Sequence, residues 1–280
     1  MYGPSVSGHN AVSREGRRIA QLFRQYRELG DVRACDLQVI LDEDNIEVIP
    51  SRQADPGYTA CLMRAPAGCR GGGIFLAPGQ DAGRKRFSIA HELGHFHIPS
   101  HAKTGADGIG YCADRDMRAR SSDARQQEWE ANDFAAELLM PRRLFAADAE
   151  RLDVSIAAVQ RLAAGDMYDV SVTAAAWRLV QTTREHCAVV VSRGGAVEWI
   201  VRSERFSLPV TERRQRLHPD TLAAGVFRGE GADAQPHPVP AGVWLDAPAP
   251  IPGVLLESTH RIPSLDQVIS LLWLVDADGG

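Results

Sequence analysis

From residue 12 to residue 29 the apolar positions Ile19, Leu22, Phe23, Tyr26 and Leu29 return at helical spacing, arginines fill the opposite face, and Gly30 supplies a stop. A short helix is predicted over residues 37–41, and a short apolar strand over 46–49 that ends at Pro50. Residues 58–64 and 73–77 read as two strands joined through APAGCRGG, whose turn residues suit a loose hairpin. Residues 81–97 contain RFSIAHELGHFH and predict a helix stopped by Pro99. A second strong helix is predicted over 128–140, ended by Pro141. Between them residues 99–124 are polar and carry Gly105, Gly108 and Gly110, and so long a connection inside one domain points to a functional loop. Shorter helices follow at about 142–150, 155–164 and 171–182.

From Cys187 the pattern changes. Residues 187–192 and 197–201 flank Arg193-Gly194-Gly195 and read as a β-hairpin. The stretch that follows is poorly patterned and holds six prolines between residues 236 and 252, so it reads as irregular. Residues 254–258 and 268–275 read as closing strands. The expected class is α+β: a loose end over 1–11, a first domain over 12–182 with a small sheet and a helical extension, and a smaller C-terminal α/β domain over 183–280.

Composition narrows the function classes. The chain has 280 residues with 44% hydrophobic and 24% charged, a core-forming balance. Its formal net charge of -5 argues against a chain built to coat nucleic acid, so direct nucleic-acid binding is not expected. The basic runs Arg84-Lys85-Arg86 and Arg213-Arg214-Gln215-Arg216 read as solvated faces. Residues 154–179 have the outline of a helix-turn-helix, yet the second helix offers only Arg178 and Gln181 as readers of bases. No run approaches the roughly 18 apolar residues a membrane helix needs. The first residues lack the apolar core of a secretory signal. Five cysteines without a CxxC pair make a disulfide framework unexpected, and the expected location is cytoplasmic.

The chemistry lies in His91-Glu92-Leu93-Gly94-His95. On a helix, residues i and i+4 are about 40° apart and one turn up, so both imidazoles can reach one ion. Glu92 is rotated by about 100° from His91 and falls beside that ion, where a general base for an attacking water belongs. A catalytic site needs a third protein ligand and an open position. His101, six residues after His95, is one candidate. It would need glycine three residues after His95 for a sharp turn, where Ile98 stands before Pro99 and favours extended backbone. Glu128 on the next long helix is preferred, since Asn132 shares its face one turn on and can hydrogen-bond a metal-bound histidine. Glu130, two positions off that face, reads as solvent-exposed or as a helix-start acid, and His97 as the partner of a neighbouring loop.

RFSIAHELGH, a polar loop and then EWEANDFAAELLMP resemble the ImmA/IrrE family of bacterial metallopeptidases. The matching positions are Arg86 to His95, then Glu128, Glu130-Ala131-Asn132, Phe134-Ala135 and Leu138-Leu139-Met140-Pro141, and the likeness spans roughly residues 12–182. The resemblance implies a small zincin-like core with zinc (manganese is also compatible with the donors) held by His91, His95 and Glu128. It implies a C-terminal part with a regulatory or sensory role. Helix-turn-helix repressors, cleaved to release mobile-element or stress genes, are the implied substrates. A binding regulator that contacts a repressor without cutting it is the alternative.

Zinc so held lowers the pKa of its water toward about 7, and Glu92 would shuttle the proton to the leaving amine. Tyr111, in the loop between the metal helices, is the candidate oxyanion donor. Gly73, Ile74, Phe75 and Leu76 form the strand before the metal helix and are expected to edge the cleft and pair with an extended substrate. In the same loop as Tyr111, Cys112 reads as small-residue packing, and Met117 is discounted as a Met-turn residue because its neighbours Asp116 and Arg118 are charged.

Overall fold

Helix α1 (Glu15–Tyr26) opens the described chain; it buries Gly16, Ala20, Phe23 and Arg24, while Leu22 and Tyr26 of the expected apolar face are exposed. The computed structural model describes residues 15–51, 59–65, 69–101, 122–246 and 253–275. Within them the chain is mixed α+β, with eight α-helices and two sheets among the described residues. It separates into two compact units. Among the described residues, one comprises 15–144 together with 164–171, and the other 145–163 together with those from 172 onward. The helices after Phe145 thus group with the C-terminal sheet, where the sequence pattern alone kept them with the metal helices.

In the first unit α2 (Leu37–Glu43) starts at Asp36, whose carboxylate accepts from the Gln38 backbone N–H. It leads into β1 (Ile46–Pro50), β2 (Ala60–Arg64) and β3 (Gly72–Leu76). The strand order is β1-β3-β2, with β1 parallel and β2 antiparallel to β3. This corrects the expectation for Gly73, Ile74, Phe75 and Leu76. Their strand is central, bonded along its length to Glu47–Pro50 on one side and Ala60–Met63 on the other. Its main-chain donors and acceptors are already shared between strands on both sides, so it cannot take a peptide strand. The sequence showed the β2–β3 hairpin but not that β1 would lie against the free side of β3.

Helix α3 (Ala82–His97) begins at Asp81, which caps the Arg84 backbone N–H. It packs against β2, β3 and α4 (Ser122–Leu139). Gly94 lets α3 and α4 approach closely: a Cβ there would stand 3.1 Å from Ala131 Cα and Phe134 Cβ. On the other flank of α4, Gly16 of α1 faces the Glu130 carbonyl, and any Cβ would overlap that oxygen. Helix α4 is therefore gripped on two sides, around Leu93, Ala131, Phe134, Ala135 and Leu138. Buried Arg24 ties α1 to this frame through the carbonyls of Leu138 (2.7 Å), Leu29 (2.6 Å) and Val32 (2.6 Å).

The second unit is a five-stranded antiparallel sheet in the order β5-β4-β8-β7-β6. Its strands are β4 (Cys187–Arg193), β5 (Ala196–Arg202), β6 (His237–Val239), β7 (Val254–Ile262) and β8 (Gln267–Val275). Strand β4 is buried on both faces over Cys187–Ser192 and β8 over Gln267–Leu272, which explains the unbroken apolar run AVVV. Helices α6 (Ile156–Ala163) and α7 (Val172–Thr182) pack together, and α7 lies against β4 and β5, with Trp177 and Trp199 at 5.2 Å. Arg178 is buried in α7, so it is not available to read bases. Helix α5 (Arg142–Ala149) precedes this pair.

Helix α8 (Leu222–Arg228) lies in the stretch without an expected element. It has local signals at both ends, Thr221 capping the Ala224 N–H and Gly229 at φ 97. The Glu257 carboxylate meets its start, accepting from Leu222 and Ala223 N–H, Trp244 Nε1 and Ser270 Oγ at 2.8–3.0 Å. Among the described residues no helix is long and apolar enough to cross a membrane.

Candidate metal centre

His91 and His95 are one turn apart on α3 and their Nε2 atoms lie 3.1 Å from each other. Glu128 approaches from α4, its Oε2 3.2 Å from His91 Nε2 and its Oε1 3.5 Å from His95 Nε2. Donors around a tetrahedral ion with bonds of about 2.0–2.1 Å sit roughly 3.3–3.4 Å apart. The observed separations match the edges of such a polyhedron, so the donor set fits a divalent cation. His95, Glu128 and Glu92 are buried, and a carboxylate oxygen and an imidazole lone pair facing each other in such a place call for a positive charge between them.

Without metal that charge is a proton. Burial opposes charge on His91, but the hydrogen bond and negative charge of Glu128 outweigh it, with Glu92 and Asn132 adding to them, and raise its pKa to about 9. Burial lowers the pKa of His95 to about 4; its contact with the Glu128 carboxylate counters this, and the charge of neighbouring His91 reinforces it. Burial alone would raise Glu128, yet its close contacts with His91 and then His95 hold it well below the usual carboxylate range. His91 is therefore the protonated member of the pair and His95 the neutral one.

The supporting contacts differ between the two histidines. Asn132 Oδ1 is 3.0 Å from His91 Nδ1, which leaves His91 Nε2 turned to the site. Behind His95 stands His101, with its Nδ1 3.0 Å from His95 Nδ1, so it faces the ring nitrogen opposite the donor cluster. Ile98 is extended, as the residue before a proline should be, and residues Pro99–His101 form a single tight helical turn that tucks His101 under His95. Glu130 corrects its expectation. It is buried and not solvent-exposed, with Oε2 2.8 Å from His101 Nε2 and Oε1 accepting from Gln126 Nε2 at 2.9 Å. Helical periodicity within α4 could not show this, because the partner that meets the Glu130 carboxylate, His101, comes from the turn after α3. The available signal was the excess of histidines in HELGHFHIPSH, which needed more acceptors than two ligands would use.

His97 bonds Asp44 at 2.8 Å and packs between Phe23 and Phe134, apart from the donor cluster. Tyr111, Cys112 and Met117 lie outside the described residues.

Among solved structures, a Mycobacterium tuberculosis transcriptional regulator shares the fold with a TM-score of 0.55 at 16% identity, covering 94% of this chain and 89% of that one. A search of curated protein sequences finds no match. The peptidase family described as the IrrE N-terminal-like domain matches residues 53–180, the span that carries both metal helices. Over those residues the chain is similar to that peptidase family.

Proposed function

We propose that this protein is a zinc-dependent endopeptidase of narrow specificity, acting in the cytoplasm on a helix-turn-helix repressor to release mobile-element or stress genes. The observation that carries the reading is the convergence of His91, His95 and Glu128 on one point, with buried Glu92 next in sequence to the first of them. Manganese is the alternative ion, since two imidazoles and a carboxylate accept either. The repressor substrate rests on the family likeness and sits well with a structural neighbour titled a transcriptional regulator. In this reading residues 183–280 carry regulation.

His91, His95 and Glu128 would hold the cation, and Asn132 would fix the His91 ring. When bound, the cation supplies Lewis-acid polarisation of the scissile carbonyl and activation of a water. Glu92 would take a proton from such a water and deliver it to the departing amine, a role suited to a buried carboxylate. Tyr111 is the proposed donor to the developing oxyanion. The substrate segment must be extended. Strand β2 replaces β3 as the docking edge, because it lies beside α3 and no strand pairs with its outer side among the described residues.

The test is incubation of metal-analysed protein with candidate repressors, with and without chelator, followed by mapping of any new terminus. Cleavage that chelator stops and Glu92→Gln abolishes, with metal content unchanged, supports the reading. Native-rate cutting by Glu92→Gln refutes the assignment of the base. Repressor binding without any cleavage, indifferent to chelator, replaces the endopeptidase with a binding regulator.

A further inference from the structure

Asn132 accounts for the outer nitrogen of one metal histidine. The outer nitrogen of the other leads into a second, longer chain of contacts: His95 Nδ1 to His101 Nδ1 at 3.0 Å, His101 Nε2 to Glu130 Oε2 at 2.8 Å, and Glu130 Oε1 to Gln126 Nε2 at 2.9 Å. The His101 side chain is 1% exposed and that of Glu130 2%. Nothing in hydrophobic packing calls for a carboxylate and an imidazole at such depth, and burying them is costly unless each donor and acceptor is used.

We propose that Glu130 and His101 are positioning residues that lock His95 in the one tautomer able to ligate a cation through Nε2. The order of donors and acceptors along the chain dictates this. A carboxylate only accepts, so His101 donates to Glu130 through Nε2–H. A neutral His101 then has an acceptor at Nδ1, and the atom facing it is His95 Nδ1, which must donate. With its proton on Nδ1, His95 has its Nε2 lone pair directed at His91 Nε2 and Glu128. Reversing any link would put a proton on the very atom that the donor cluster needs bare.

Anchoring reinforces the chain. His101 N–H bonds the Ile98 carbonyl at 3.0 Å, which fixes the turn. The Glu130 backbone is held by the close passage of Gly16. His91 has a neutral amide as its acceptor, whereas His95 has a full carboxylate relayed through a second ring, so the two ligands are supported unequally.

The inference rests on the metal-site reading, and the experiment separates the two. Wild type, His101→Phe and Glu130→Gln are titrated with Zn2+ in chelator-buffered solution. Long-range 1H–15N spectra of the metal-free wild type report the tautomer of the His95 ring. The expected results are a 10–100-fold weaker Zn2+ affinity in both variants, and a wild-type His95 protonated on Nδ1, a tautomer that His101→Phe no longer fixes. Wild type that binds no Zn2+ overturns the metal site itself. Wild type that binds Zn2+ beside folded variants with affinities within twofold of it overturns the relay alone. A wild-type His95 protonated on Nε2 overturns the relay even if neither variant folds.

Discussion

Metal binding should be strongly pH-dependent and coupled to one proton, because of a specific asymmetry in the site. His91 must lose its proton to ligate, and its pKa in the metal-free protein is raised to about 9 by Glu128, against a usual 6.5. At pH 7 roughly 1% of molecules then carry a neutral His91, so the apparent affinity is weakened about 100-fold, or about 2.7 kcal/mol at 1.36 kcal/mol per pH unit. His95, lowered to about 4, is already neutral and adds no second factor above about pH 5. Affinity should therefore rise about tenfold per pH unit from pH 6.5 to 8.5 and level off near 9. Two ordinary histidines would instead level off by about pH 7.5. Chelator-buffered Zn2+ titrations across this range, with calorimetry in buffers of different ionisation enthalpy, give the slope and the proton count. An affinity flat between pH 7 and 8.5, or the release of no proton at pH 7, would refute the coupling between His91 and Glu128.

Other outcomes follow from the packing. Gly16→Ala should force α1 away from the Glu130 carbonyl. Overpacking of about 1–3 kcal/mol outweighs the gain of about 1 kcal/mol in helix propensity, so thermal unfolding should show a lower Tm; an unchanged Tm would mean that the helices are not in such close contact. Arg24→Met keeps the aliphatic bulk but strands three carbonyls that now share one guanidinium, and chemical denaturation should show a loss of about 3 kcal/mol or more. Glu257→Ala removes the acceptor of four buried or half-buried donors at the start of α8. It should cost at least about 3 kcal/mol while leaving Zn2+ affinity untouched, which unfolding and metal titration of the same sample would check.

What the sequence determined by itself was local. The i, i+4 spacing of His91 and His95, and of Glu128 and Asn132, is a property of one helix at a time, and it placed four side chains that the fold indeed brings together. The proline stops and the AVVV run were legible for the same reason, since each depends on a few neighbouring residues. Tertiary structure alone decided what lay between elements. Whether β3 is an edge depends on where β1 inserts, and that follows from no pattern within β3. Whether Glu130 meets water depends on the turn after α3, which brings His101 against its carboxylate. Periodicity fixes the direction of a side chain from its own axis, and only the packing of other axes around it fixes whether that direction is solvent, a partner or a metal.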